Sequence, residues 1–256
     1  MKVVTWNVNS VRAREERLLN WLRANKPDVV CLQETKVPDG QFPVEKVREL
    51  GYEVALNGQK AYNGVALLSR TPIDDVRVGF SDGHDDPQAR FISGIVQGTR
   101  VASVYIPNGS EVGSDKWAYK LAWLKRLRAY LEKHHAEGEP LLVCGDYNVA
   151  LEARDVARPA EWETSVLFHP EARAALEHFM SFGLVDVFRK LREEPGLYSW
   201  WDYRMLGFPK GNGLRIDLVL GTKVIADKCV EAVIDRNERK GKQPSDHAPV
   251  ALTFAL

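Results

Sequence analysis

The sequence predicts an α/β fold built on mixed β-sheets. Ten short runs of apolar, β-prone residues recur along the 256-residue chain, and amphipathic helical patterns lie between only some of them. Their order is strand, helix, strand, then several strands in succession, then a helix and further strands. This order lacks the regular alternation of a doubly wound sheet. No linker, repeat or low-complexity segment divides the chain, so we expect residues 1–256 to form a single domain.

The strand predictions rest on runs rich in Val, Ile, Leu and Phe that end at polar or turn-forming residues. They cover residues 3–6, 29–32, 54–56, 65–68, 91–96, 101–106, 141–144, 214–220, 230–234 and 248–254. Helices are predicted over 15–24, from an N-cap at Ser114 to a stop at 138–140, and over 172–182. The segment 150–170 is long, polar and proline-bearing, and loops of that size are often functional.

The composition is that of a globular protein without a membrane segment. Hydrophobic residues make up 45% of the chain, and no stretch approaches the ~20 consecutive apolar residues that span a bilayer. The opening MKVVTWNVNSVRAR is too polar for a secretory signal. Cys31, Cys144 and Cys229 lie in apolar runs without C-x-x-C spacing, which favours buried free thiols over disulfides or a zinc site. We therefore expect a cytoplasmic protein.

The overall charge of the chain excludes few classes of function. The chain has 35 basic and 35 acidic residues, and this neutrality counts mildly against a nucleic-acid partner. The run 236–242, however, carries Arg236, Arg239, Lys240 and Lys242 against a single Glu. A solvated surface loop and a contact with phosphates both remain open for this run.

Polar side chains lie at the ends of four predicted strands. Because strand ends in open α/β sheets converge on a common crevice, we expect these groups to meet there. Each one alone is also ordinary turn or boundary chemistry, so the inference depends on their coincidence. The residues are Asn7 and Asn9, Glu34, Tyr105 with Asn108, and Asp146 with Asn148.

The stretch PSDHAPVALTF places Asp246 and His247 at the start of the last predicted strand. In the strand 214–220, alternation puts Asp217 on the face opposite to the aliphatic side chains. A carboxylate in that position needs a partner, and His247 is the natural one, since an Asp fixes the imidazole tautomer and favours its charged form. A structural ion pair without chemistry is the alternative.

This set of residue types suits metal-assisted attack on a phosphodiester. Hard oxygen ligands such as Glu34 hold Mg²⁺ or Mn²⁺. Amide donors and a cationic His stabilise the charged phosphoryl oxygens, and a carboxylate can take a proton from water. The chain has no Walker loop, no G-x-S-x-G nucleophile motif and no dinucleotide fingerprint.

The motifs that carry these residues resemble the exonuclease III family of DNA-repair enzymes, within the endonuclease/exonuclease/phosphatase superfamily. The similar segments run in the family's order from residue 3 to 250. The segments QET, GDYN and SDH are typical of the whole superfamily, whose members also cleave sphingolipids and inositol phosphates, whereas WWDYR and GLRIDL favour the DNA-repair branch. The segments are TWNVNSVRAR, PDVVCLQETK, YNGVALLSR, VYIPNG, KLAWLKRL, VCGDYNVA, LYSWWDYR, GLRIDLVLG and PSDHAPV.

The resemblance implies a four-layer α/β sandwich of two packed mixed β-sheets flanked by helices. It implies Mg²⁺-dependent cleavage 5′ to abasic sites in duplex DNA, with 3′→5′ exonuclease and 3′-phosphodiesterase activity, and Mn²⁺ is expected to substitute for Mg²⁺. The implied partner is double-stranded DNA with abasic sites or 3′ ends, with no membrane and no obligate protein partner. Two alternatives stay open: a phosphodiesterase acting on a lipid headgroup or inositol phosphate, and a non-catalytic DNA-binding module.

The resemblance also implies roles for single residues. Glu34 matches the main metal ligand, with Asn7 and Asp246 near the metal. Asp146 matches the residue that orients or deprotonates the attacking water, Asn148 its helper at the phosphate, and Tyr105 a phenol at the phosphate or leaving group. Asp217 and His247 match the pair that stabilises the developing charge.

The remaining matches concern DNA. Arg90, Asn108 and Asn9 match positions near the substrate, and Trp200 and Leu214 match the apolar wall around a flipped-out abasic sugar. Core packing is the alternative for Trp200 and its neighbour. Some family members carry Asp where this chain has Asn9, which leaves the number of metals and their ligands open.

Overall fold

Two mixed six-stranded sheets pack face to face in the computed structural model, which describes residues 1–256. The first sheet has the order β11-β12-β1-β2-β4-β3 and the second the order β5-β6-β7-β8-β10-β9. Each contains one parallel pair, β1–β2 and β7–β8 respectively, and its other pairs are antiparallel. The strands are β1 Lys2–Asn7, β2 Val29–Gln33, β3 Glu53–Asn57, β4 Val65–Ser69, β5 Asp74–Val78, β6 Phe91–Val96, β7 Thr99–Tyr105, β8 Leu141–Asp146, β9 Leu184–Asp186, β10 Asp217–Thr222, β11 Cys229–Ile234 and β12 Val250–Phe254.

Helices cover the outer face of each sheet and complete four layers. Buried side chains of the first helix pack on the first sheet, and those of the third and fifth helices pack on the second. A third cluster fills the space between the sheets with aliphatic side chains from both. The predicted four-layer sandwich is therefore confirmed. The helices are α1 Glu15–Asn25, α2 Val44–Arg48, α3 Asp115–His134, α4 Pro159–Trp162, α5 Pro170–Met180, α6 Val187–Leu191 and α7 Lys223–Ala226.

The three predicted helices and the ten predicted strands are present, with shifted ends. Ser114 caps α3 as predicted, since its hydroxyl accepts from the Trp117 amide. The strand predicted over 214–220 begins only at Asp217, because Ser199 Oγ accepts from the amides of Ile216 and Asp217. The last strand begins at Val250, after a proline that has no amide hydrogen to donate.

Two strands and one segment differ from the sequence prediction. The missed strands β5 and β9 lie at sheet edges; β5 is largely exposed and β9 has three residues, so neither carries the apolar signature of a buried strand. The segment 150–170 is no open loop, since it contains a 3₁₀ turn and the short helix α4. None of the helices has the length and apolar character that crossing a membrane requires.

The topology brings four strand ends to one edge of the sandwich. In the first sheet Asn7 lies beside Gln33, which immediately precedes Glu34. In the second, Tyr105 lies beside Asp146, and Asp146 lies opposite Asp217. The convergence predicted from the polar strand ends is therefore present, and it spans both sheets rather than one.

Candidate active site

Asn7 joins the two sheets at this edge. Its fully buried side-chain amide donates to Glu34 Oε1 and to Asp146 Oδ2, at 2.9 Å each. One amide thus fixes a carboxylate from each sheet, because two donor hydrogens on one nitrogen point in set directions. Its main-chain carbonyl accepts from Ser245 Oγ at 2.7 Å, which ties the third segment of the site to the same residue.

Asp217 and His247 form the predicted pair. His247 Nδ1 lies 2.8 and 3.0 Å from the two carboxylate oxygens of Asp217, and both residues are buried. Two serine hydroxyls fix the backbone of the pair: Ser199 Oγ accepts from the Asp217 main-chain amide, and Ser245 Oγ accepts from the His247 main-chain amide. Because Nδ1 donates to the Asp217 carboxylate, the other ring nitrogen, Nε2, is directed toward Asp146. The distance from Nε2 to Asp146 Oδ2 is 3.6 Å.

Asp146 lies between these groups, and the sequence around it explains its position. A Cβ on the preceding Gly145 would approach the Val104 carbonyl to 1.9 Å, so only glycine allows β7 and β8 to pack this closely here. Asn148 donates its amide to Asp146 Oδ1 at 2.9 Å and accepts at its own Oδ1 from Asn108 at 3.0 Å. Asp146, Asn148 and Asn108 therefore form one continuous hydrogen-bonded set.

Three residues of the site adopt left-handed backbone conformations. The φ angles are 45° at Asn9, 52° at Glu34 and 50° at Asn148, a region that non-glycine residues visit infrequently, and Glu the least readily of these three. Hydrogen bonds hold the strained turn at Glu34, whose carbonyl accepts from the Ser10 amide at 2.7 Å. Such strain persists where surrounding structure fixes it, and it clusters at functional sites.

The environment of the site shifts the pKa values of His247 and Asp146, so that one is a cation and the other titrates near neutral pH. Burial lowers the pKa of His247, but Asp217 and then Asp146 raise it, to about 10, so the imidazole is cationic at neutral pH. Burial raises the pKa of Asp146 to about 7, with His247 opposing this and Asp217 and Glu34 adding to it. A carboxylate with a pKa near neutrality, beside a fixed cation, suits proton transfer and charge stabilisation respectively.

The oxygen atoms at this edge suit a hard divalent cation. Ligand atoms of Glu34, Asp146 and His247 lie within 4.8 Å of one another. A cationic imidazole has no free lone pair, so the carboxylates of Glu34 and Asp146 are the groups that fit Mg²⁺ or Mn²⁺. Asn7 directs its donor nitrogen to both carboxylates and its oxygen accepts from the Asn9 amide, so its predicted place as a metal ligand stays a prediction. Lys36 already lies 2.7 Å from Glu34 Oε2, which leaves Glu34 one oxygen directed to the Asp146 side.

A second polar group lies beside the first. Asp246 accepts from Asn9 Nδ2 at 2.9 Å and from Trp200 Nε1 at 3.0 Å, and Lys36 connects Asn9 back to Glu34. Burial raises the pKa of Asp246, but His247 and these two donors more than offset it, so its pKa is lowered. Both carboxylate oxygens of Asp246 are engaged, and its role near a metal stays a prediction.

The residues expected near substrate differ in exposure: Asn108 is exposed and Asn9 and Trp200 are partly exposed, whereas Arg90 and Leu214 are buried. Trp200 is partly exposed and contacts Leu214 through a backbone bridge, with Trp162 edge-on to its ring at 5.9 Å, whereas Trp201 is the buried core residue of the pair. Arg90 stacks on the Tyr105 ring at 4.6 Å and donates to its carbonyl. Burial raises the pKa of Tyr105 well above its usual range, and Glu34 and Asp146 add to this, so the phenol is neutral.

The comparison with family models decides the membership. The model described as "Endonuclease/Exonuclease/phosphatase family" matches residues 4–247. The chain belongs to the endonuclease/exonuclease/phosphatase family. The matched span begins on β1, which carries Asn7, and ends at His247, so all residues of the site described above lie within it.

Relatives of this family cover the whole chain. The chain is 36% identical over 266 residues to "Exodeoxyribonuclease III" of Haemophilus influenzae, with 99% of this chain and 100% of the relative covered. Among solved structures it is similar to an AP endonuclease from Archaeoglobus fulgidus, with a TM-score of 0.97 and 38% identity, and to the 3′ phosphatase NExo from Neisseria bound to product DNA hairpin, with a TM-score of 0.95 and 36% identity. Both structures are covered over 100% of each chain.

Sequence reasoning missed several residues of the site. Lys36, Ser199 and Ser245 form hydrogen bonds with Asn9, Asp217 and Asn7 respectively. In the sequence, their position in or beside the segments QET, SWW and SDH is the one sign that they belong to the site. In the basic run, Arg239 is buried and donates to the carbonyls of Ser245 and Trp201. That arginine supports the His247 segment, and Arg236, Lys240 and Lys242 are the exposed cations of the run that remain available for phosphate.

Proposed function

We propose that the chain is a Mg²⁺-dependent DNA-repair nuclease that hydrolyses the phosphodiester 5′ to abasic sites in duplex DNA, with 3′→5′ exonuclease and 3′-phosphodiesterase activity. The observation that carries the proposal is the Asn7 bridge between Glu34 and Asp146, with cationic His247 Nε2 3.6 Å from Asp146 Oδ2. The full-length similarity to an exodeoxyribonuclease III and to an AP endonuclease supports the DNA substrate. The three buried free cysteines support a reducing, cytoplasmic location.

The chain's own groups supply both proton transfer and charge stabilisation. Asp146 has the pKa of a group that can take a proton from water near neutral pH, and the Asn148 amide holds its second oxygen in place. His247 Nε2 lies 3.6 Å from Asp146, beyond hydrogen-bond length, so its proton is free to reach a phosphoryl oxygen placed between them. Mg²⁺ bound at Glu34 would polarise that phosphate and stabilise the leaving oxygen.

Selectivity for abasic sites follows from the cost of extruding a nucleotide. A nucleotide that has lost its base gives up no stacking or pairing on leaving the duplex, so it is extruded most easily. The partly exposed ring of Trp200, backed by the buried Leu214, provides an apolar surface beside the proposed catalytic groups, where a sugar without a base would fit. Tyr105 supplies a neutral phenol for the phosphate or the leaving group.

A nicking assay tests the proposal. One labelled oligonucleotide duplex carries a single abasic analogue and its matched duplex does not; each is incubated with Mg²⁺ or with EDTA. We expect Mg²⁺-dependent incision immediately 5′ to the abasic position, abolished in Asp146→Asn and retained in the surface control Asp227→Asn, whose side chain pairs with two exposed lysines. Cleavage of a phospholipid or inositol phosphate in preference to both duplexes would overturn the proposal.

A further inference from the structure

Lys120 on α3 is a fully buried lysine whose ammonium binds three loops of the active-site edge. Its Nζ donates to the carbonyl of Asn108 at 3.1 Å, of Asn148 at 2.7 Å and of Val166 at 2.7 Å. These carbonyls belong to the loop after β7, the loop after β8 and the segment 150–170. All three hydrogens of one ammonium are therefore used, each by a different part of the chain.

The packing around this lysine shows that the position is built for it. Gly109 has a φ of 95°, and a Cβ there would approach Lys120 Cδ to 3.1 Å and Trp117 Cε3 to 3.2 Å. The glycine thus allows the loop that carries Asn108 to lie directly on the lysine stem. On the other side, Val166 lies 3.6 Å from the same Cβ position, so the segment 150–170 closes the enclosure.

The cost of burying an ammonium group means that the hydrogen bonds of Lys120 are needed for its burial. An unpaired buried charge is strongly destabilising, and burial accordingly lowers the pKa of Lys120 to about 7, an effect that the charge of Asp146 opposes. Three charge-assisted hydrogen bonds to carbonyls favour the charged form. Because the three acceptors are main-chain atoms of loops, these hydrogen bonds fix those loops relative to α3.

The loops held in this way carry the two amides of the second sheet. Asn148 places Asp146 through its main-chain amide, and Asn108 donates to the Asn148 side chain. We propose that Lys120 is a positioning residue for the hydrolysis: it fixes Asn108, Asn148 and the segment 150–170 against one another so that Asp146 keeps its alignment. The inference rests on the proposed function, and it assigns a role to the segment 150–170, which the sequence leaves unexplained.

The consequence for catalysis is a loss of turnover without a matching loss of binding. Lys120 lies behind Asn148, so it touches neither the substrate face nor Glu34. Misplacement of a catalytic group by about 1 Å can cost ~100-fold in rate. We therefore expect Lys120→Met, which keeps all but the last atom of the side chain's length and removes its donors, to lower kcat about 10- to 100-fold.

The test compares Lys120→Met with Leu131→Ala, a buried α3 residue remote from these loops. Single-turnover incision rates, KM for the abasic duplex, Mn²⁺ affinity and thermal midpoints are measured for both variants and the wild type, at a temperature well below every midpoint. We expect kcat to fall only in Lys120→Met, with KM and Mn²⁺ affinity within about threefold of wild type. If Lys120→Met does not fold, Lys120→Gln, which retains two donor hydrogens, takes its place.

The outcomes separate this inference from the proposed function. If the wild type does not incise the abasic duplex, the proposed function fails, and the same variants are compared on whichever phosphodiester the wild type cleaves. If the wild type incises the duplex and the Lys120 variant keeps the turnover of Leu131→Ala, the inference is wrong. A rise confined to KM, or a fall confined to Mn²⁺ affinity, would also overturn it, since either would assign the lysine to binding.

Discussion

Replacing Asp217 by Asn tests whether a buried carboxylate keeps His247 charged for the reaction. Asn has the same shape, and its side-chain oxygen can still accept from Nδ1, so the imidazole keeps its place while its counter-charge is removed. Asp217 is fully buried and lies 2.8 Å from Nδ1. The substitution therefore isolates charge from geometry better than removal of His247 itself.

The magnitude follows from the distance. A unit charge 2.8 Å away contributes ~6 kcal/mol at an effective dielectric constant of about 20, which corresponds to about four pH units. The imidazole pKa of about 10 exceeds its ordinary value of 6.5, so loss of this charge returns it to about 6.5 or below. At pH 8 the variant's imidazole is then largely neutral, and removing one charged donor costs ~100-fold in kcat.

The sign of the pH dependence distinguishes this account from a simple loss of structure. In the wild type, activity that depends on the charged imidazole persists up to about pH 10; in Asp217→Asn the alkaline limb moves toward neutrality, so the two rates differ most near pH 9 and least near pH 6. The pair also contributes stability that is complete below pH 6.5 and is lost as the pH rises through about 10.

Two measurements test whether Asp217 keeps the His247 imidazole charged. Rates of incision of an abasic duplex are recorded from pH 6 to 10 with saturating Mg²⁺, and the His247 ring is titrated directly by NMR. Asp227→Asn, a carboxylate that is 44% exposed, serves as the control. An unaltered pH profile together with an unshifted imidazole pKa in Asp217→Asn would refute the reasoning, because it would mean that Asp217 does not hold the charge.

The other predictions concern the base, the metal and the DNA contact. Asp146→Asn should lower kcat at least ~100-fold in single-turnover assays; near-normal turnover would remove Asp146 from the base role. Because the pKa of Asp146 is raised to about 7, Mg²⁺ binding at pH 6.5 should release a substantial fraction of a proton, seen by calorimetry in two buffers of different ionisation enthalpy; equal heats would contradict this. Exchanging Lys240 and Lys242 for Gln should make the affinity for duplex DNA less sensitive to salt, lowering the log–log slope by about one for each phosphate that a lysine no longer neutralises. Lys223→Gln, remote in the chain, should leave that slope unaltered; equal slopes in all variants would assign Lys240 and Lys242 to solvated surface.

The fold was predictable where burial leaves a pattern in the sequence. The strands β1, β2, β4 and β8 are buried over all or nearly all of their length, and each appears as an apolar run. The edge strand β5 has the burial pattern of a surface segment, so its pairing with β6 is set by tertiary context that no local pattern records. The sandwich itself came from the resemblance, since strand order is a property of the whole chain.

The sequence allowed the individual residues of the site to be predicted, but not the hydrogen bonds and distances between them. Strand ends and the Asp–His stretch identified the side chains that the structure brings together, because a carboxylate or amide directly after a buried strand is visible in one sequence. Lys36 and Lys120 were missed, because a lysine near a turn or on a helix has the same sequence signature whether it is solvated or enclosed. Only the folded structure shows that Lys120 has no exposure and three acceptors.

The charges at the site argue for a cation before a phosphate. Four carboxylates and the two cationic side chains paired directly with them sum to a formal charge of −2 when all are ionised; the residues are Glu34, Asp146, Asp217 and Asp246, with Lys36 and His247. Arg90, stacked on Tyr105, and Lys120, behind Asn148, lie outside this set. A phosphodiester anion would be repelled by this set. Burial is the main cause of the raised pKa of Asp146, and the charges of Asp217 and Glu34 add to it. One divalent ion held by Glu34 and Asp146 would cancel the excess charge, favour the ionised form of Asp146 and allow the phosphate to approach. Metal and DNA should therefore bind with positive coupling, and an affinity for duplex DNA that is unaltered by adding Mg²⁺ would argue against this arrangement of charge.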